Sequence, residues 1–168
     1  MSRDPDGLER LWAPYRMAYV REAGQRDGCP FCAMVAGAQQ TEMIVTRGEH
    51  CFVAMNLYPY NPGHLMVLPN RHEADLTALT DEESRELTAL TQRSIRAIRR
   101  VSNPDGFNVG LNLGAVAGGS ISQHLHQHVV PRWGGDANFM TVVGRTKALP
   151  QTIAESADLL RAAWAEDD

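Results

Sequence analysis

Apolar residues along the chain gather in short runs bounded by glycine, proline and charged positions, with one long exception. Met43 to Val45 and Cys51 to Met55 read as two short strands separated by an Arg47-Gly48-Glu49 turn. Tyr58-Pro59-Tyr60-Asn61-Pro62-Gly63 is a loop by its proline and glycine content, and His64-Leu65-Met66-Val67-Leu68-Pro69 is a strand closed by proline. The exception is Asp81 to Val101, where Leu87, Leu90, Ile95 and Ile98 recur near the helical period. Thr80 and Glu83 stand at capping-box spacing at its start, and Arg96, Arg99 and Arg100 suit the negative end of the helix dipole. Phe107 to Leu113 and Leu125 to Pro131 predict two more strands, with the glycine-rich loop Gly114 to Ser120 between them. Pro150 to Ala165 predicts a tail helix. Gly7 to Ala23, with Leu8, Leu11, Trp12, Tyr15, Met17, Tyr19 and Val20, predicts a short N-terminal helix or arm whose regularity Pro14 limits.

Strands and helices are segregated rather than strictly alternating, which predicts an α+β fold: a mostly antiparallel sheet with one long helix and a C-terminal helix. The chain's 168 residues, with no internal repeat or low-complexity linker, fit an N-terminal arm over 1–24 followed by one domain over 25–168. Its hydrophobic fraction of 43% is ordinary for a packed core. A net charge of −4, from 16 basic and 20 acidic residues, argues against bulk nucleic-acid binding, which needs a basic surface. It leaves a small anionic substrate open, since a few local donors outweigh a mild global charge. No apolar run reaches the roughly 20 residues of a membrane span, and Met1 to Arg10 is too polar for a secretory signal. A cytoplasmic protein without membrane contact is expected.

The chemistry gathers at two places. Cys29-Pro30-Phe31-Cys32 has the spacing of metal ligands or a redox pair, whereas Cys51, between His50 and Phe52 in an apolar run, reads as a small buried hydrophobe. The second place is Gln123-His124-Leu125-His126-Gln127-His128-Val129-Val130-Pro131-Arg132. On a strand, His124, His126 and His128 line one face, and Leu125, Gln127 and Val129 the other. Imidazoles so stacked need partners. They fit either a zinc site on one strand or a nucleophilic site, because neutral imidazole attacks phosphorus and leaves again readily.

This run resembles the signature of the histidine triad (HIT) family, as does Asn61-Pro62-Gly63-His64 followed by Val67-Leu68-Pro69-Asn70-Arg71-His72. Leu57 to His64, Gly106 to Gly114, Pro131 to Phe139 and Leu11 to Met17 extend the likeness over most of the chain, nearest to the diadenosine tetraphosphate phosphorylases of actinobacteria. The resemblance implies a HIT-like fold and a homodimer that takes a dinucleotide and phosphate to ADP and ATP through a covalent AMP–histidine. The alternative is a dinucleoside polyphosphate or nucleoside phosphoramidate hydrolase using water. It implies His126 as nucleophile, with His128 stabilising charge on the phosphate. Asn112 and Ser120 fall at the phosphate, Asn56 near the ribose and Trp133 against a base, with a reach across the dimer as one option. Gly118-Gly119-Ser120 places Gly119 where hydrolases of the family carry glutamine, which opens space for a phosphate acceptor. The family also pairs Cys29 and Cys32 with His72 and His124 as a structural zinc set, leaving His50 and His64 outside it, with His64 packed under the loop.

Overall fold

The computed structural model describes residues 28–117, 121–137 and 149–166. The predicted N-terminal arm and the residues Gly119 and Ser120 lie outside these ranges. The elements are α1 (Pro30–Val35), β1 (Ile44–Arg47), β2 (Cys51–Met55), β3 (Leu65–Pro69), α2 (Asp81–Ser102), β4 (Gly106–Leu111), β5 (Gln127–Arg132) and α3 (Ile153–Ala165). The strands form one antiparallel sheet in the order β1-β2-β3-β5-β4. The α+β expectation holds.

Alternation along each strand builds two cores. On the back face, Val53, Met55, Leu65, Val67 and Val129 pack under α2 and α3 through Leu87, Ile98, Leu160 and Trp164. On the front face, Phe52, Ala54, Met66 and Leu68 pack under α1 through Phe31 and Met34. A six-residue helix has no stability of its own, so α1 exists because those two side chains are buried, each worth roughly 2 kcal/mol. Sequence periodicity cannot register so short an element.

The capping box at Thr80 and Glu83 forms as read, and a second one, Thr152 with Glu155, starts α3 at Ile153 rather than at Pro150. Strand ends shift as well. Met43 belongs to a 3-10 turn over Thr41–Met43, which moves β1 to Ile44–Arg47. β4 ends at Leu111, two residues before the expected Leu113. β5 begins at Gln127 instead of Leu125, because its ladder with β3 and β4 starts there. Two arginines placed on α2 serve another helix: Arg93 Nη2 and Arg100 Nη2 donate to the Trp164 and Ala163 carbonyls, 2.9 Å each, at the C-terminus of α3.

One clamp holds the β1–β2 hairpin to α2. Glu86 accepts from three successive backbone N–H groups, those of Glu49 (2.9 Å), His50 (2.5 Å) and Cys51 (2.7 Å). Gly48 leaves room for it, since a Cβ there would run into the Glu86 carboxylate and force the clamp to shift. Cys51 is fully buried, and burial together with Glu86 and Glu83 pushes its thiol up to about 12, in keeping with an inert apolar role.

Candidate active site

The start of α1 and the approach to β5 bring Cys29, Cys32, His72 and His124 together. Cys29 is the N-cap of α1 and Cys32 lies in its first turn, so the spacing puts both sulfurs at one helix end. His124 Nε2 lies 3.0 Å from the Pro69 carbonyl, which can only accept, so that nitrogen carries the proton. The unprotonated Nδ1 then faces Cys29 Sγ at 3.4 Å and Cys32 Sγ at 3.6 Å. His72 Nδ1 is 3.2 Å from Cys32 Sγ. All donor atoms of the set lie within 4.8 Å of one another. Two thiols and two imidazoles form a complete ligand set of the kind that holds tetrahedral zinc. Burial and the neighbouring Cys29 raise the Cys32 thiol above its ordinary value, and a bound cation is what would bring it down.

His126, two residues on, is 7% exposed and sits against Phe31, with ring centroids 5.3 Å apart. Its Nδ1 faces the His124 carbonyl at 2.8 Å, so Nδ1 carries the proton and donates it. Burial lowers the His126 pKa, which keeps the ring neutral and leaves Nε2 with a free lone pair. One residue thus serves both groups: the His124 side chain enters the thiol cluster while its carbonyl sets the tautomer of His126.

His128 is fixed from the other side. The Tyr60 backbone N–H donates to His64 Nδ1 at 3.0 Å, so the proton of neutral His64 is on Nε2. That N–H donates in turn to His128 Nδ1, also 3.0 Å away, and His128 is left with its own proton on Nε2. The His126 and His128 rings meet edge to face at 5.0 Å. A bare nitrogen lone pair therefore stands beside an N–H donor, a pairing suited to attack on an electrophile carrying anionic oxygens.

Among the remaining expected residues, Asn112 lines the same cavity as His128. Asn56, just after β2, accepts from the Tyr58 N–H at 3.0 Å and lies over the His64 ring. Trp133, just past β5, donates its indole N–H to the Ser102 carbonyl at the end of α2, 3.3 Å away. Gly119 and Ser120 belong to the undescribed stretch.

Residues 37–135, more than half of the chain, match the model of the HIT domain. The chain belongs to the HIT domain family. A relative named AP-4-A phosphorylase, from Mycobacterium tuberculosis strain H37Rv, is 52% identical over 168 residues, covering 95% of this chain and 86% of its own length. Protein hit of Bacillus subtilis is 30% identical over 69% of this chain and 79% of its own. Among solved structures, a zinc-bound histidine triad family protein from Mycobacterium smegmatis superposes with a TM-score of 0.70 at 33% identity, covering 84% of this chain and 96% of that one.

Within this HIT domain, His64 is the site residue that sequence reasoning placed too far from the chemistry. It does pack under the Tyr60 loop, with ring centroids 4.9 Å apart, but it also fixes the His128 tautomer across 64 positions of chain. The signal was its place in the Asn61-Pro62-Gly63-His64 stretch, and only the sheet pairing of β3 with β5 gives it a partner. Burial lowers His64 to about 3 and His128 to about 4, the nearby histidines adding to the shift in both. Free imidazole titrates near ~6.5, so below that the unfolded chain binds protons that the fold refuses. Stability from these two histidines is fully present above the unfolded value and is lost as pH falls, by up to about 1.4 kcal/mol per pH unit for each. Urea midpoints measured at pH 7, 6 and 5 are expected to decline steadily; a flat profile would show that both histidines charge freely in the folded state.

Proposed function

We propose that this chain is a nucleotidyl transferase that cleaves diadenosine tetraphosphate with inorganic phosphate to give ADP and ATP. The observation that carries the reading is the His126 ring, buried and held by the His124 carbonyl so that Nε2 is left unprotonated, with the His128 ring edge to face against it. His126 Nε2 attacks the α-phosphorus and ATP departs, leaving AMP bonded to the histidine. His128 Nε2–H donates to a phosphoryl oxygen as charge builds. A phosphate oxygen then attacks the same phosphorus, the P–N bond breaks, and ADP leaves with His126 restored. The 52% identity to a relative named AP-4-A phosphorylase supports phosphate over water as the second acceptor. Gly119, at the sequence position where hydrolases of the family carry glutamine, supports it too.

Asn112 and Ser120 are assigned to the phosphate and Asn56 to the ribose. Trp133, bonded to the end of α2 in its own chain, is assigned to the base bound by a second copy. That copy would pair along β4, an edge strand with Val109 46% exposed, followed by Leu113, also 46% exposed. Zinc is assigned to Cys29, Cys32, His72 and His124, where its contribution is to anchor His124 and, through the His124 carbonyl, the orientation of His126.

Ion-exchange analysis of products from diadenosine tetraphosphate, with and without inorganic phosphate, tests the assignment. ADP and ATP are expected, and only when phosphate is present. AMP and ATP formed regardless of phosphate would make the protein a hydrolase and remove the argument from Gly119.

A further inference from the structure

A groove of about 360 Å³ continues from His128 along the front face of β4 and β5, in the range of small-ligand pockets. Val130 and Gly110 lie on its floor, Asn108 and Asn112 line it, Tyr60 flanks it and Arg132 closes its far end. Gly110 pairs with His128 across the ladder, and a Cβ built on it meets nothing within 4 Å. A side chain there would stand in the groove rather than in a core.

The lining says what the groove takes. Arg132 is already balanced: its Nε and Nη2 donate to Asp136 at 2.6 and 3.0 Å, and its Nη1 donates to Asn108 Oδ1 at 2.6 Å. Tyr60 is 53% exposed, and its ring lies 4.9 Å from that of His64 and 5.9 Å from that of His128, tilted by 38° and 32°. Beyond Asn112, which is assigned to the phosphate, an aromatic wall, an aliphatic floor, the Asn108 amide and a neutralised cation suit a flat heterocycle with hydrogen-bonding edges better than a chain of phosphates.

We propose that this groove binds the purine of the leaving nucleotide, stacked on Tyr60, so that Tyr60 and Gly110 set the preference for a dinucleotide over a mononucleotide donor. The inference rests on the phosphorylase reading, in which AMP stays on His126 and the other nucleotide departs past His128. Two reactions of the same site separate the groove from the chemistry. Cleavage of diadenosine tetraphosphate needs the distal purine. Exchange of labelled phosphate into ADP does not: His126 displaces phosphate from ADP, and labelled phosphate displaces His126.

Gly110→Leu fills the groove, and Tyr60→Ala removes its wall at a half-exposed position where folding is not at stake. In each variant the ratio of kcat/KM for cleavage to the exchange rate is expected to fall roughly tenfold, through KM for the dinucleotide. A ratio unchanged in both variants, or both reactions falling in parallel, overturns the groove assignment while the phosphorylase reading stands. A wild-type protein that neither cleaves nor exchanges overturns the reading and the groove together.

Discussion

Replacing His126 with alanine is expected to lower kcat on diadenosine tetraphosphate by about four to six orders of magnitude, as removal of a covalent nucleophile commonly does. The loss should lie in kcat, because the ring contributes to the bond being made rather than to holding the nucleotide. A second readout isolates the role. Wild-type protein mixed with substrate labelled in the α-phosphate, without inorganic phosphate, and denatured at high pH to preserve the P–N bond, should carry about one label per chain at most. The His126→Ala protein should carry none. The His128→Ala protein should still become labelled, more slowly, because its ring donates to oxygen and bonds to nothing. Label retained by His126→Ala would move the nucleophile to another residue and dissolve the tautomer argument built on the His124 carbonyl.

The second large effect is on the metal-ligand set. Cys32→Ser, or treatment of the wild type with a strong chelator, is expected to lower the thermal midpoint by about 10 °C, which for a chain of this length corresponds to roughly 3–5 kcal/mol. Zinc sites in small peptides are worth more, ~10–16 kcal/mol, because those peptides have no fold without the metal; here two cores remain on either side of the sheet. Activity should fall with the midpoint, since the residue that enters the cluster through its ring also orients His126 through its carbonyl. Elemental analysis of the purified protein should find close to one zinc per chain. A metal-free protein whose midpoint ignores the chelator would leave the cluster as a set of hydrogen-bonded thiols and imidazoles.

Much of this site is local in sequence and was legible there. The alternation His124, His126, His128 fixes a shared face whether or not the ladder reaches that far, and Leu125 and Val129 do fill the back core while Gln127 turns to Thr91 on α2. Cys29 and Cys32, with two residues between them, have the spacing of a ligand pair, although the short helix that presents them was not legible because it forms only through burial of Phe31 and Met34. Thr80 and Glu83 announced the beginning of α2 through a contact three residues long. What was not legible depends on distant segments meeting. Glu86 looks like any exposed helix glutamate until the β1–β2 turn arrives 35 positions away with three N–H groups in need of an acceptor. Arg100 looks like a charge suited to its own helix end, and the α3 carbonyls it serves are 63 positions downstream. The strand ends moved for the same reason: a ladder starts where a neighbour is available, and the neighbours of β5 are β3 and β4.

The place of β5 in the sheet has a consequence for biosynthesis. Among the described residues it is the last strand in chain order, yet it lies between β3 and β4. As the polypeptide leaves the ribosome, β1, β2 and β3 can pair in order, while β4 emerges with no partner and waits for about fifteen more residues to follow it. Until then the nascent protein presents two open borders, the free side of β3 and the whole of β4, and holds no arrangement capable of chemistry. The strand that joins those borders also delivers His128, so completion of the sheet and the birth of the active site are a single event.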